Sequence, residues 1–370
     1  MNPLGYLSKN PDDKRTLVVV FLRGGADALN MVAPVEDDGY YNARPLIGIS
    51  KSEAIVLDDL FGLNPEMKAL HPLYTEGLLS FYHGAGSEDR TRSHFEAQDL
   101  MEHGGETAGG WLGRFLRYRP EPATGSLSAI AIGKSLPESL RGAPAATVME
   151  SFRDFSLGDD SIGIVNGIEK LYGLEEGEMA ASAVDTLASM KRIESIRNSD
   201  THPSDGAKYP QNEFGEGLMR IARLIRAHVG LEAACIDLGG WDSHLTQGPI
   251  MNPRMRALSE GLAAFAKDLG PLMATTSVVV MSEFGRRVRE NSALGTDHGR
   301  GGLMMVLGGG EEGGHVTADW RGLTDEVLEG PGDLPVTTHY SKVLAPVLRR
   351  HGAGEDLSVI FPARERVAVG

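Results

Sequence analysis

The sequence predicts an α/β fold built on a mostly parallel sheet. Short apolar runs rich in Val, Ile and Leu alternate along the chain with patterns of helical periodicity, which is typical of strands joined by crossover helices. Glycine and polar residues follow most of these runs, at the edge where an open parallel sheet binds its ligand. A chain of 370 residues is long enough for one large domain of this kind.

Six apolar runs are predicted as buried strands, because each is short, aliphatic and bounded by glycine or polar residues. They lie at residues 16–22, 79–83, 129–132, 233–238, 277–282 and 303–307. Together they supply the strands of the predicted sheet.

Helices are predicted where apolar residues repeat at steps of three and four. One such stripe covers 255–269, and a second pattern covers 214–229 and leads into the following strand. A third covers 340–348, with Thr338 placed to cap its start and Gly352 to stop its end. These helices are expected to pack against the sheet.

The chain is predicted to form a single domain over residues 10–365, with a helical insertion at 151–212. The insertion contains an amphipathic stretch, 180–196, followed by a polar segment rich in Pro, Gly and Asp. Long loops of this composition are often functional, so we interpret the insertion as a helix and a mobile loop that form a lid.

The composition argues against several classes of partner. The net charge is −15, with 51 acidic and 36 basic residues, whereas nucleic-acid binding depends on clustered Lys and Arg. The single cysteine, Cys235, excludes an internal disulfide and a thiolate-rich metal site. The apolar run at 17–22 is too short for a membrane span or a secretory signal. We therefore expect a cytoplasmic protein that binds no nucleic acid and spans no membrane.

The segments that follow the strands carry residues suited to metal binding. "GGWDSH" places Asp242 and His244 two positions apart, so an extended chain would point both side chains to one face. "GTDHG" places Asp297 beside His298 among glycines. Carboxylate and imidazole ligands suit zinc or manganese better than magnesium or calcium. Each segment on its own is also compatible with an ordinary polar loop.

Two further acids follow buried strands. Glu283 comes directly after the run that ends at Ser282, where an unpaired carboxylate would be costly. A metal ion is one possible partner, and Arg286 or Arg287 in a salt bridge is the other. Asp27 in "GGAD" has the same two interpretations, with Arg23 as its nearest cation.

Ser93 begins a predicted helix, and its hydroxyl has two interpretations. Ser93 and Glu96 have the spacing of a capping box, which is a structural role. A helix N-terminus also favours anions, so Thr91, Arg92 and Ser93 together could bind and attack a phosphate or sulfate group. The hydroxyl would act as a nucleophile only with a bound cation to lower its pKa.

Five segments of the chain resemble the domain of unknown function family 1501. They are "VVVFLRGGADALNMVAP", "RTRSHFEAQDLME", "GGWDSH", "SEFGRRVREN" and "GTDHGRGG". The resemblance runs from about Thr16 to Val347. The family in turn resembles a branch of the alkaline phosphatase and sulfatase superfamily, which implies a three-layer sandwich with the sheet between helices. Many relatives carry a twin-arginine export signal, so an extracytoplasmic location is the alternative expectation.

The resemblance also implies roles for individual residues. It implies a divalent metal site and a nucleophile at Ser93 or Thr91. The implied metal ligands are Asp27, Asp242, His244, Glu283 and His298, with Asp297 in an alternative assignment. Beyond the resemblance, we expect Arg92 and Arg286 to stabilise charge on the transferring group.

The sequence departs from the superfamily at one expected ligand, because Phe284 follows Glu283 where a histidine is expected. A first metal site is therefore better supported than a second. Alternatively, Asp297 and His298 are the displaced pair, and the final histidine is His315 or His339. The predicted function is a metal-dependent hydrolase of a small phosphate or sulfate ester. The alternative is a catalytically degraded binding or assembly protein on the same fold.

Overall fold

The structure, a computed structural model, describes residues 15–105, 107–123, 125–155, 167–168, 170–172, 177–198 and 202–362. The strands are β1 (Thr16–Arg23), β2 (Val32–Ala33), β3 (Ile55–Val56), β4 (Gly62–Leu63), β5 (Leu79–Gly86), β6 (Ala129–Ile132), β7 (Thr147–Met149), β8 (Ala233–Gly239), β9 (Thr276–Ser282), β10 (Gly302–Gly308), β11 (Val316–Thr317) and β12 (Thr338–His339). The α-helices are α1 (Ala28–Met31), α2 (Asp38–Ala43), α3 (His71–Thr75), α4 (His94–His103), α5 (Trp111–Tyr118), α6 (Glu178–Asn198), α7 (Glu213–Arg226), α8 (Gln247–Leu269) and α9 (Tyr340–Arg350).

A nine-stranded sheet forms the centre of the described fold, in the order β11-β5-β10-β9-β1-β8-β6-β7, with β12 also paired to β5. Strand β10 is antiparallel to both of its neighbours, and the other pairings are parallel. Strands β1, β5, β8 and β9 therefore end at the same edge of the sheet, and β10 begins there. The segments after these strands, and the loop before β10, meet at that edge.

The side chains of the sheet are buried on both faces. In β1, Val18 and Val20 belong to one apolar cluster, whereas Leu17 and Val19 belong to a second. Helices α7 and α8 contribute to the first cluster, and helices α5 and α9 contribute to the second. The fold is therefore three layers with the sheet between helices, as the family resemblance implied.

The six predicted strands are confirmed, and no predicted end differs from the observed one by more than three residues. The predicted cap of the last helix is wrong by one residue. Thr338 lies in β12 and pairs with Ala85 of β5. His339 caps α9 by accepting the backbone N–H of Ser341 on its ring Nδ1. Thr338 is a strand residue because the short β12 continues directly into the helix.

The predicted insertion, 151–212, lies partly outside the described residues, as do both ends of the predicted domain, 10–365. In its described part, helix α6 contacts Ser126 through Asp185 and Ser189. Ser126 precedes β6, so these contacts lie at the amino-end edge of the sheet and not over the strand ends described above. The polar segment that follows is held by Asp268, which accepts bonds from Ser204 and Tyr209. That the insertion forms a lid stays a prediction.

No helix within the described ranges is both long and apolar enough to cross a membrane.

Candidate metal centre

Three loops converge beyond the carboxyl ends of the central strands. The loop after β8 carries Asp242 and His244, the loop before β10 carries Asp297 and His298, and the segment after β5 leads into α4 at His94. Among the described residues, His94, Asp242 and His298 each offer a ligand atom, and these atoms lie within 4.8 Å of one another. This cluster is the best candidate for a metal centre in the described part of the chain.

Asp242 lies at the centre of the cluster. Its Oδ1 is 3.1 Å from Nε2 of His244 and 3.2 Å from Nε2 of His298, and its Oδ2 is 3.6 Å from Nε2 of His94. Burial alone would raise the pKa of Asp242, but the hydrogen bonds of Arg286 and His298 outweigh it and lower the pKa to about 2. Asp242 is therefore an anion throughout the physiological range and remains half exposed to a ligand.

Each of the three imidazoles has an acceptor at its other nitrogen. Nδ1 of His298 is 2.9 Å from the carbonyl oxygen of Arg92, and Nδ1 of His94 is 2.8 Å from Oε1 of Glu283. Nδ1 of His244 is 3.2 Å from Oδ1 of Asp297. Nε2 of each ring faces Asp242, which also only accepts hydrogen bonds, so a neutral ring has one proton for two acceptors. With a cation at Nε2, the proton of each ring would lie on Nδ1, where the carbonyl or carboxylate accepts it.

The pKa shifts of two imidazoles have opposite signs. The hydrogen bond to Glu283 raises the pKa of His94 despite its partial burial. Burial, followed by the charge of Arg286, lowers the pKa of His298. His298 is therefore neutral at pH 7, the protonation state in which an imidazole binds a metal.

The cluster fits a divalent cation. Nε2 of His244 and Nε2 of His298 are 2.9 Å apart, and both lie close to Oδ1 of Asp242, at 3.1 Å and 3.2 Å. Such a contact is repulsive unless a proton or a cation lies against it. Imidazole and carboxylate donors without a thiolate suit zinc or manganese. The acceptors on Nδ1 match the outer ligands that orient metal-binding histidines.

His94 was not among the site residues predicted from the sequence. The capping-box spacing pointed instead to Ser93 and Glu96, which flank it. The available signal was the position of His94 at the first turn of a helix that follows a buried strand, the same setting as the other candidates. Its ring contacts the rings of His298 and Phe284, with centroids 4.4 Å and 5.0 Å away.

Glu283, expected to bind the metal, lies beneath the cluster instead. It is buried, and its Oε1 accepts hydrogen bonds from His94, Gln98 and the backbone N–H of Gly24. Burial would raise the pKa of Glu283, but the bond from His94, the largest of several opposing contributions, helps to lower it. The partner of this carboxylate is therefore His94, and neither Arg286 nor Arg287. In this position Glu283 fixes the orientation of the His94 ring.

Asp27, also expected as a ligand, is not part of the cluster. Its Oδ2 and Oδ1 bind the guanidinium of Arg44 at 2.5 Å and 3.0 Å, and Oδ2 also accepts a bond from Gln247 at 2.6 Å. Asp27 and Arg44 are both buried, so the pair is shielded from solvent. The cation that neutralises Asp27 is Arg44. Arg23, which is nearer to Asp27 in the sequence, binds Glu102 and Asp237 instead.

Arg286 is buried beside the cluster and contacts Asp242, and its guanidinium does not face solvent. Its side chain is fully buried and donates to the carbonyl oxygens of Gly24, Gly25, Trp241 and Thr296. It also donates to Oδ1 of Asp242 at 2.7 Å. Because these bonds occupy its nitrogens, Arg286 has no role in contacting a transferring group, contrary to the expectation from sequence. It holds together the loops that carry the site.

Ser93 occupies the N-cap position of α4, but its side chain does not cap the helix. Among the described residues its hydroxyl makes no capping hydrogen bond, so the predicted capping box does not form. The Thr91 hydroxyl accepts the backbone N–H of Ser93 and donates to Asp89, which gives Thr91 a role in the turn. Ser93 lies between Arg92, whose carbonyl binds His298, and His94. Ser93 is therefore flanked in the chain by two residues that contact His298, and its hydroxyl makes no capping bond.

Glycines allow the converging loops to pack closely. A Cβ on Gly295 would lie 2.3 Å from the carbonyl oxygen of His244, and a Cβ on Gly24 would lie 2.5 Å from the backbone nitrogen of Asp242. Gly24 also has a φ of +120°, which other residues rarely adopt. The small residues around the site are therefore required for its backbones to meet.

The solved structures similar to this chain include sulfatases and an alkaline phosphatase. The PH0037 protein of Pyrococcus horikoshii is 12% identical, with a TM-score of 0.31, and the match covers 91% of this chain and 97% of that one. The PsFucS1 sulfatase of Pseudoalteromonas sp. is 12% identical, with a TM-score of 0.35 and coverages of 92% and 68%. Alkaline phosphatase from the Antarctic bacterium TAB5 is 9% identical, with a TM-score of 0.23 and coverages of 82% and 95%. At TM-scores below 0.5 these matches carry no argument about activity.

A search of curated proteins found no match to this chain. A family model, described as a protein of unknown function (DUF1501), matches residues 14–353. This range contains the sheet and all of the residues of the candidate centre. The chain therefore belongs to the DUF1501 family.

Proposed function

We propose that this protein is a metal-dependent hydrolase of a phosphate or sulfate ester. The observation that carries the proposal is the convergence of Nε2 atoms from His94, His244 and His298 on the carboxylate of Asp242. An orienting acceptor on each Nδ1 supports metal binding over an ordinary polar cluster. The donors favour zinc or manganese over magnesium or calcium.

When bound, a divalent cation would polarise an oxygen of the ester and lower the pKa of a nearby hydroxyl. Ser93 is the proposed nucleophile, because its hydroxyl is not used as a cap and its neighbours on both sides contact His298. The N-terminus of α4 presents backbone N–H groups and a positive dipole to the same region, which favours an oxyanion. The main chain of Arg92 holds His298 in its ligand orientation.

In the proposed reaction the Ser93 oxygen forms a bond to phosphorus or sulfur as the bond to the alcohol breaks. The Ser93 proton leaves to solvent, and the departing alcohol takes up a proton. Water then releases phosphate or sulfate and restores the hydroxyl.

A second candidate function is a binding or assembly protein whose catalytic site is incomplete. Phe284 favours it, because the ring packs against His94 and His298 at centroid distances of 5.0 Å and 4.7 Å, where the superfamily resemblance implies another ligand. In this alternative a metal would have a structural role and no ester would be cleaved.

The test combines metal analysis with hydrolysis assays. Protein purified without chelators is expected to contain a transition metal and to hydrolyse an aryl phosphate or an aryl sulfate. Ser93→Ala is expected to retain the metal and to lower kcat by about a thousandfold or more. Ser292→Ala, which alters an exposed serine of the 283–301 segment, is the matched control and should be fully active.

Three outcomes distinguish the candidates. Metal binding together with Ser93-dependent hydrolysis supports the hydrolase. Metal binding without hydrolysis of either ester favours the binding protein. A protein that holds no transition metal, and stays inert after zinc or manganese is added, contradicts the proposed function.

A further inference from the structure

Arg286 and Arg287 are adjacent in sequence and have opposite environments. The side chain of Arg286 is 0% exposed and its nitrogens are committed to carbonyl groups and Asp242. The side chain of Arg287 is 34% exposed. Within the described ranges the guanidinium makes one hydrogen bond, and it is long, 3.4 Å from Nη1 to Oδ2 of Asp297. A guanidinium that is partly open and weakly bonded can accept a further anionic partner.

Arg287 lies beside the candidate metal centre. Asp297, its hydrogen-bond partner, is also the acceptor for Nδ1 of His244. The backbone N–H of Arg287 donates to the carbonyl oxygen of Asp297 at 2.9 Å, so main chain and side chain both hold it against this loop. One carboxylate therefore separates the Arg287 guanidinium from the His244 imidazole.

Asp333 is a buried carboxylate between Arg287 and Arg92. Its Oδ2 binds Nε and Nη2 of Arg92 at 2.9 Å and 2.5 Å. Its Oδ1 is 4.0 Å from Nε of Arg287, and among the described residues neither of these two atoms has a hydrogen-bond partner. A backbone bridge also joins Arg287 to Asp333. Asp333 thus lies beneath two guanidinium groups and limits where both can point.

Arg92 links Arg287 and Asp333 to the proposed nucleophile, Ser93. Its carbonyl oxygen holds His298, it precedes Ser93, and its side chain is 27% exposed. Two partly exposed guanidinium groups therefore lie on either side of Asp333, one next to the proposed nucleophile and one next to His244.

We propose that Arg287, together with Arg92, binds the anionic group of the substrate, and that Asp333 positions both side chains. The inference rests on the proposed function and specifies its substrate as an ester that presents a tetrahedral oxyanion to a pair of guanidinium groups. Planar guanidinium forks match phosphate and sulfate oxygens, which a single ammonium does less well. Arg287 thereby takes the anion-binding role that the sequence assigned to its neighbour Arg286.

The test measures binding of inorganic phosphate and inorganic sulfate by calorimetry, using the full chain with whatever metal it retains on purification. Arg287→Gln is expected to weaken binding of at least one of these anions by about tenfold or more, because a charge-assisted hydrogen bond is lost. Arg287→Lys keeps the charge without the fork and should fall between wild type and Arg287→Gln. Metal content and thermal stability should equal those of wild type in both variants.

Arg289→Gln is the matched control. Arg289 is two residues further along, its side chain is 60% exposed, and it pairs with the exposed Asp325. This variant should bind both anions as wild type does. An equal loss in Arg289→Gln would show a general charge effect and would overturn the inference.

The outcomes separate this inference from the proposed function. If the protein holds a metal and cleaves esters but Arg287→Gln binds both anions normally, the inference fails and the proposed function stands. If no metal is bound but anion binding depends on Arg287, the inference stands and the hydrolase fails. Wild-type protein that binds neither anion overturns the inference.

Discussion

Nε2 of His244 and Nε2 of His298 lie 2.9 Å apart, and the Nδ1 atom of each ring faces an oxygen that only accepts hydrogen bonds. Both Nε2 atoms also face Oδ1 of Asp242, at 3.1 Å and 3.2 Å, so each neutral ring has one proton for two acceptors. A cation at Nε2 would satisfy these contacts, which makes the cluster a candidate metal site.

Substitution of His94 is expected to reduce metal binding, because its Nε2 completes the cluster with Asp242 and His298. His94→Ala should lower the metal content of the purified protein, as measured by elemental analysis, and weaken zinc affinity by at least about tenfold. His315→Ala is the control, since His315 is exposed and its ring contacts Tyr82 instead. Loss of metal in the His315 variant and not in the His94 variant would reassign the site.

Glu283→Gln tests the orienting role of the buried carboxylate. The amide keeps the size of the side chain but replaces a charged acceptor of the His94 N–H with a neutral one. Zinc affinity is expected to fall by about 10- to 100-fold, as it does when outer ligands of a metal are altered. The control is Glu312→Gln, at an exposed position outside the site. Unchanged zinc affinity in Glu283→Gln would mean that the hydrogen bond to His94 is not important for binding.

Asp27→Asn separates a structural acid from a metal ligand. Its partner Arg44 is buried, so the substitution leaves an uncompensated guanidinium in the interior. The free energy of unfolding is expected to fall by about 3–5 kcal/mol, measured by denaturant titration, while the metal content per folded molecule stays constant. A loss of metal with little change in stability would instead restore Asp27 as a ligand.

His351 should make the stability of the fold depend on pH. Burial, with further contributions from Arg15, Arg119 and Arg350, lowers its pKa to about 3 in the folded chain, whereas an unfolded histidine titrates near 6.5. Between these values the unfolded state binds a proton that the folded state does not, so stability decreases as the pH falls. The contribution is up to about 1.4 kcal/mol per pH unit.

The measurement is the free energy of unfolding of wild type and His351→Gln from pH 7 to pH 4. The variant is expected to lose less stability across this range, because the side chain that takes up the proton on unfolding is absent. His315→Gln, at an exposed position, should follow the wild-type curve. Parallel curves for wild type and His351→Gln would refute this account of acid sensitivity.

Much of the fold followed from local pattern. The six apolar runs became strands because each buries aliphatic side chains on both faces, a property visible in consecutive residues. The two-residue strands, and β7 with three residues, were missed because such short segments have no periodicity of their own. Thr338 looked like a helix cap because its pairing with Ala85 is not local.

The candidate centre was predicted in part. Asp242, His244 and His298 were identified from their positions after or before strands, and the structure brings them together. Partners chosen by nearness in sequence were wrong, because side chains pair across strand ends. Arg44 neutralises Asp27 from 17 residues away, and Glu283 binds His94 from 189 residues away.

The sequence by itself determined the class of fold, the family, and the kinds of side chain that lie at the ends of the strands. These properties depend on which residues are adjacent in the chain and on the period at which they recur. Only the tertiary structure decided that His94 joins the cluster, that Glu283 and Arg286 are buried against it, and that the side chain of Arg287 stays partly exposed. Those roles depend on which loops meet beyond the sheet, and a linear pattern does not encode the distances between them.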